Sequence, residues 1–401
     1  MPPFKGGLLM NKEKFNFLEI VLKVSERCNI NCDYCYMYNC GNELSINSRP
    51  LINDETVYNL KKLLENAASE FEIGTIQVDF HGGEPLMLGK RKFSEACDIL
   101  LSGNYHNSYF ILSCQTNGTL IDEEWVDIFY KYNVRIGISI DGPKHINDKH
   151  RLDHKGKSTY ERTVKGIKMI NSAWKKGIMT NEPSILCVIN PKVSGKEIYR
   201  HFVDDLECKS FDLLIPDENH DTCENTKAVG LYLNEAVDEF FNDSNKEIEV
   251  RIIATHMKSL MLKEFTPVIG ISKGDINSAV FVITSEGDIY IDDALRVTND
   301  ILFSPIGNLR NVKFKNLLES WQLKQYMNIN NTLPSSCYDC IWKNSCFGGR
   351  ALNRFSKVNR FDNKTVFCDS MRIFLSRLTS HIIESGVDIK LIEENLGVNE
   401  L

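Results

Sequence analysis

At 401 residues, with 42% hydrophobic and 25% charged side chains, the chain has an ordinary globular composition and the length for one large domain plus an appendage. Its net charge of −7 argues against a nucleic-acid enzyme, which usually carries a basic face. No apolar run has the length of a membrane span or the form of a signal peptide, so a cytoplasmic protein is expected.

After an N-terminal segment (1–16), strand patterns fall at 17–25, 75–81, 109–115, 134–141, 183–190 and 211–217. Helical patterns lie between them, near 54–71, 91–103, 122–132, 159–178 and 195–206. This alternation predicts an α/β core over 17–218, an open, partial (β/α)6 parallel barrel with its reactive groups at the C-terminal strand ends. Residues 219–275 read as a helical bridging region. The remainder, 276–401, reads as a further domain with a hairpin at 279–292 turning on Glu286-Gly287 and a helix near 314–328.

Thirteen cysteines without an export signal argue for metal or redox use over a disulfide framework. Cys28, Cys32 and Cys35 share one loop after the first strand, in C-x3-C-x2-C spacing. Three thiolates so placed can hold three irons of a cubane and leave the fourth open; a three-ligand zinc loop or chance spacing is the bland alternative. Cys40, Cys97, Cys114, Cys187, Cys208 and Cys223 read as packing residues. At the next strand ends, Gly82 and Gly83 let the backbone approach a ligand, and Glu84 can accept from an ammonium group. Asn117 and Ser139 offer hydrogen bonds and Arg151 a fork for a carboxylate, although each alone also reads as a strand-end cap.

These motifs together resemble the radical S-adenosylmethionine (SAM) superfamily, which implies SAM and a 4Fe–4S cluster on Cys28, Cys32 and Cys35. The resemblance places Tyr34 over the adenine, and the GGE segment (82–84) on the methionine amino group. Asn117, Ser139 and Arg151 fall to the ribose and carboxylate.

Cys337, Cys340, Cys346 and Cys368 form C-x2-C-x5-C plus one distant thiol, a closed four-thiolate site that spacing leaves open between zinc and iron–sulfur. The pattern resembles the SPASM extension of radical SAM peptide maturases, which implies an auxiliary 4Fe–4S cluster. Two departures reduce the expected auxiliary clusters to one. Arg350 stands where the extension continues with another cysteine, and Tyr290-Ile291-Asp292-Asp293 stands where a hairpin cysteine is usual.

The segments CFGGRALNRFS (346–356) and FDNKTVFC (361–368) resemble the cyclophane-forming maturases of ribosomal peptides, with departures at Asn353, Phe355 and Lys364. That resemblance implies a ribosomal precursor peptide as substrate and an electron donor such as flavodoxin or ferredoxin. It also implies a crosslink from a substrate Cβ to an aromatic ring. Asp293 is then the proton acceptor, with Asp292 its rival. The 27 residues before Cys28 are too few for a leader-binding module, so the leader is expected on the catalytic chain itself or on a further partner, sheet-edge addition along the hairpin being one physical option. Formylglycine formation, as in the more distantly resembling anaerobic sulfatase maturases, is the alternative. A zinc-stabilised binding protein is the non-enzymatic one.

Overall fold

The computed structural model describes residues 14–41, 43–262 and 278–398. Twelve strands are present among them: β1 (Lys14–Ser25), β2 (Ile30–Cys32), β3 (Glu72–Gly82), β4 (Tyr109–Thr116), β5 (Arg135–Ser139), β6 (Arg151–Asp153), β7 (Ser184–Val188), β8 (Ser210–Leu214), β9 (Glu249–Val250), β10 (Ser278–Ile283), β11 (Asp288–Tyr290) and β12 (Gly307–Asn308). Ten form one sheet in the order β12-β11-β10-β1-β3-β4-β5-β7-β8-β9, while β2 and β6 pair separately. From β1 to β8 every neighbouring pair is parallel and follows chain order, as the strand–helix alternation predicts.

Helices at Asp54–Glu70, Lys90–Leu101, Glu123–Lys131, Tyr160–Lys175 and Gly195–Arg200 connect these strands. The first starts where Asn53 accepts from the Thr56 amide and two acids follow in the first turn. Alternation within the strands separates two faces. Leu18, Ile20, Leu22 and Val24 of β1 and Ile76, Val78 and Phe80 of β3 are buried in the core that also holds Leu60, Leu64 and Phe93 of the helices. Val21 apart, the intervening positions are polar: Glu19 and Lys23 on β1, Gln77, Asp79 and His81 on β3, Ser113 and Gln115 on β4. These bond to one another across the strands, Gln77 to Glu19 and Lys23 to His81. Parallel strands buried on both faces are usually apolar throughout, so a polar face marks the side that serves chemistry.

The hairpin at 279–292 forms as expected, and its strand β10 lies parallel to β1, so the sheet runs on into the C-terminal part of the chain. Its outer strand is itself paired by β12, which occupies the edge expected for a leader peptide. The bridging region holds helices Ala228–Asn242 and Arg251–Met261, with β9 added to the far edge of the sheet; the part of that expectation over 263–275 lies outside the described residues. The helix expected near 314–328 is two, Phe314–Leu318 and Trp321–Asn331, because Ser320 caps the second by accepting from the Leu323 amide.

Candidate active site

The three-cysteine loop is fixed by short-range bonds. Cys32 ends β2 opposite Arg151 of β6. The Cys35 amide donates to the Cys32 carbonyl at 3.1 Å, and Asn39 Nδ2 donates to the same oxygen at 2.7 Å. Arg27 gathers the returning chain by donating to the carbonyls of Glu26, Ser45, Ile46 and Ser48. Burial pushes the Cys28 thiol up to about 12 and the Cys32 thiol up to about 11, so they become thiolates only against a cationic partner.

Gly82 and Gly83 serve a closer neighbour than the ligand expected from the sequence. A Cβ on Gly82, at φ +139°, would lie 2.0 Å from the Ser25 carbonyl oxygen, and one on Gly83 would lie 2.5 Å from that of Arg27. The amides of Gly83 and Glu84 donate to those same carbonyls at 2.8 and 2.9 Å, strapping the cysteine loop to the end of β3. Glu84 is fully buried. It accepts from the Leu86 amide (3.0 Å), Thr116 Oγ1 (2.7 Å) and the Asn117 amide (2.8 Å). A carboxylate takes about four such bonds, which leaves room for one more donor.

Asn117 sits between the two loops, its Nδ2 2.8 Å from Asn29 Oδ1 and 3.8 Å from Cys28 Sγ. Ser139 accepts from Gln115 Nε2 at 2.9 Å. The Tyr34 hydroxyl donates to Asp141 Oδ2 at 2.5 Å and accepts from Arg151 Nη1 at 2.8 Å, so one arm of the Arg151 fork is spent on orienting Tyr34. Asp141, buried in the SIDGP segment, escaped the sequence analysis, which took only Ser139 from that motif.

Asp293 lies in a buried ionic network. It pairs with Lys23, lies 2.5 Å from Arg296 Nη2 through Oδ1, and accepts from the Tyr36 hydroxyl at 2.7 Å. Burial alone would raise its pKa, but Lys23 and Arg296 outweigh it and hold the carboxyl well below the usual range. Lys23, Tyr36, His81 and Arg296 were not expected at the site; a lysine inside an apolar strand was the available signal for the first. Asp292 is half-buried and faces other partners: its Oδ1 caps the Ala294 amide (2.9 Å) and its Oδ2 accepts from Tyr326 (2.6 Å). Burial raises its pKa, against the Tyr326 hydrogen bond and the nearby Arg350. Arg350 itself is 3.0 Å from Asp217.

The second cysteine group is built by an unusual backbone. Phe347, Gly348 and Gly349 all take positive φ (50°, 79° and 81°), turning the chain so that Gly348 accepts from the Thr365 amide and Cys346 comes beside Cys368. A Cβ on Gly349 would meet Thr365 Cβ at 2.5 Å, which explains the glycine there. Among the described residues no three Cys, His, Asp or Glu side chains converge on a single-ion site. Cys337, Cys340, Cys346 and Cys368 instead line one pocket, with no His, Asp or Glu among the described side chains around them. An all-thiolate set of four is the donor chemistry of a 4Fe–4S cubane as well as of a structural zinc ion. The four thiols therefore fit the cluster by their chemistry. Of the cysteines assigned to packing, Cys97, Cys114, Cys187 and Cys208 are buried, and Cys40 and Cys223 are half-buried.

Residues 22–190, which carry the first cysteine loop and the strand ends described above, match the radical SAM superfamily. The chain is a radical SAM enzyme. Its cofactors are SAM and 4Fe–4S clusters. It is 26% identical over 381 residues to the cysteine-type anaerobic sulfatase-maturating enzyme of Clostridium novyi, covering 90% of this chain and 95% of that protein. The serine-type enzyme of Bacteroides thetaiotaomicron is 24% identical over 84% of this chain and 83% of its own length. In fold it matches anSMEcpe with bound AdoMet, with a TM-score of 0.78 at 23% identity over 92% of this chain and 99% of that one. The form of anSMEcpe that also holds the Cp18Cys peptide scores 0.75, at 23% identity over 92% of this chain and 98% of that one.

These relatives correct the cyclophane expectation. Proteins similar over nine-tenths of the chain are sulfatase-maturating enzymes, and crosslinking has no such support. The segments that suggested it are scaffold. Asn353 donates to the Pro216 and Glu218 carbonyls, Phe355 packs on Phe361, and the glycine run builds the second cysteine cavity. Among the described residues, no helix is long and apolar enough to cross a membrane.

Proposed function

We propose that this enzyme oxidises the Cβ of a cysteine held in a peptide or protein substrate, leaving an aldehyde, in the manner of sulfatase maturation. The observation that carries this reading is similarity to maturases over nine-tenths of the chain. Cysteine is favoured over serine because the cysteine-type relative aligns over more of the chain. Cys28, Cys32 and Cys35 would hold the SAM-binding cluster, and Cys337, Cys340, Cys346 and Cys368 the auxiliary one of a SPASM-like extension.

When bound, these groups supply a 5′-deoxyadenosyl radical that takes a Cβ hydrogen and an acceptor for the electron left behind. The remaining lone pair of Glu84 suits the SAM ammonium, and Tyr34, held by Asp141 and Arg151, offers a fixed ring for the adenine. Asn117 and Ser139 supply polar contacts for the ribose or carboxylate. Loss of the Cβ hydrogen, the thiol proton and one electron leaves a thioaldehyde, which water converts to the aldehyde and hydrogen sulfide.

We assign the thiol proton to Asp292. Asp293 is paired with two cations and is a weak base, whereas Asp292 has no such cation pair among the described residues and burial raises its pKa. Asp293 then acts as the counter-ion that fixes Lys23 and Arg296. The test is anaerobic reconstitution with a cysteine-containing peptide, scoring aldehyde by hydrazide capture and sulfide release. Deoxyadenosine formation with no aldehyde on any cysteine or serine peptide would sink the proposal.

A further inference from the structure

The helix Cys368–Glu384 begins at the last cysteine of the second group, and Arg372 follows one turn later on the same face. Arg372 lines the four-cysteine pocket together with Cys340, which comes from a separate segment of the chain. One guanidinium therefore brings positive charge to the rim of the four-thiol pocket. Lys364 also lines the pocket, while two further cations nearby are committed elsewhere. Lys343 Nζ donates to the Tyr338 carbonyl at 3.3 Å. Arg354 spends its nitrogens on the carbonyls of Phe361, Ile329 and Thr332.

We propose that Arg372 sets the reduction potential of the cluster held by Cys337, Cys340, Cys346 and Cys368, its guanidinium stabilising the extra negative charge of the reduced state. This rests on the assignment of an auxiliary cluster to those cysteines. Four thiolates give such a cluster a net negative charge that reduction increases. Hydrogen bonds to sulfur and adjacent positive charge favour the more negative state, and so raise the potential. Asp369, in the first turn of the same helix, opposes this and makes Arg372 the counterweight. The side chain is exposed, so replacing it leaves the core intact. Its role is positioning charge at a cluster, and no contact with substrate is needed.

The experiment is a dye-mediated potentiometric titration of the full, anaerobically reconstituted chain, following the reduced-cluster paramagnetic signal that does not respond to SAM. Wild type is compared with Arg372→Lys, Arg372→Gln and Arg372→Ala, with iron content and melting temperature measured on each. The expected order runs from wild type through Arg372→Lys and Arg372→Gln to Arg372→Ala, the last having the lowest midpoint, with unchanged melting. Equal midpoints in all four proteins at equal iron content overturn the proposal. If Arg372→Ala loses iron, the lysine and glutamine variants decide by the same criterion. Iron for only one cubane in wild type, or zinc at the second site, overturns the cluster assignment itself and is seen before any potential is read.

Discussion

Lys23 and Asp293 form an ion pair that ties the first strand of the sheet to the turn after the hairpin, 270 residues further along the sequence. Lys23 is fully buried, and its Nζ also lies 3.1 Å from both the Tyr36 hydroxyl and His81 Nδ1. Tyr36 neighbours Cys35, so this pair connects the hairpin, the sheet interior and the cysteine loop.

Asp293→Asn keeps the shape of the side chain but leaves Lys23 and Arg296 buried without their counter-ion. Breaking a buried pair from one side costs about 3–5 kcal/mol. A lower urea midpoint of that order is expected, with part of it recovered by adding Lys23→Met. A midpoint equal to wild type would show that the pair is solvated.

His81 predicts a pH dependence. Its Nδ1 accepts from the Gly82 amide at 2.8 Å and faces Lys23, so a proton on that nitrogen would confront two donors. Burial and then Lys23 lower its pKa to about 3. The unfolded chain takes up this proton near pH 6.5, so the contribution is complete above that value and is lost as pH falls toward about 3. Stability should fall by up to about 1.4 kcal/mol per pH unit in that window through this one group. Urea titrations at pH 7.5 and 5.0 on wild type and His81→Gln isolate it. An identical pH slope in both proteins would refute the assignment.

The parallel sheet was legible because each strand repeats apolar side chains at period two and each connecting helix at period near 3.6. β1 and β3 illustrate this, with one face apolar under the helices. β2 and β6 were not legible, since three residues carry no period, although they place Cys32 opposite Arg151. At the site, the cysteines stand out by type and spacing. Asp141, Lys23 and Tyr36 do not, because their importance comes from partners brought in from remote strands. The glycine run at 348–349 read as a family mark when its physical cause is a left-handed turn against Thr365, and that misdirected the substrate expectation.

The cluster assignments predict about eight irons per chain, four for each cubane, with little zinc. Replacing Cys28, Cys32 and Cys35 together with Ala should leave about four irons and abolish deoxyadenosine formation. The same change at Cys337, Cys340, Cys346 and Cys368 should also leave about four, yet retain deoxyadenosine. Substantial SAM cleavage by the first variant would overturn the placement of the SAM-binding cluster.

Asp292→Asn tests the proton acceptor. The amide keeps its one oxygen to accept from the Ala294 amide, and its Nδ2 can donate to the Tyr326 hydroxyl oxygen in place of the bond that Oδ2 accepted, so the local structure should hold while basicity is lost. Loss of a general base typically costs a factor of roughly 10²–10⁴ in the step it serves. Aldehyde should therefore fall steeply while deoxyadenosine persists, since hydrogen abstraction needs no proton transfer to this residue. The pH profile supplies a second readout. Burial already raises the Asp292 pKa and the Tyr326 hydrogen bond restrains it, so Tyr326→Phe should raise it further. The acid limb of aldehyde formation, where the protonated carboxyl cannot accept, should then move to higher pH. Parallel loss of aldehyde and deoxyadenosine in Asp292→Asn, with no shift of the limb in Tyr326→Phe, would remove Asp292 from the reaction.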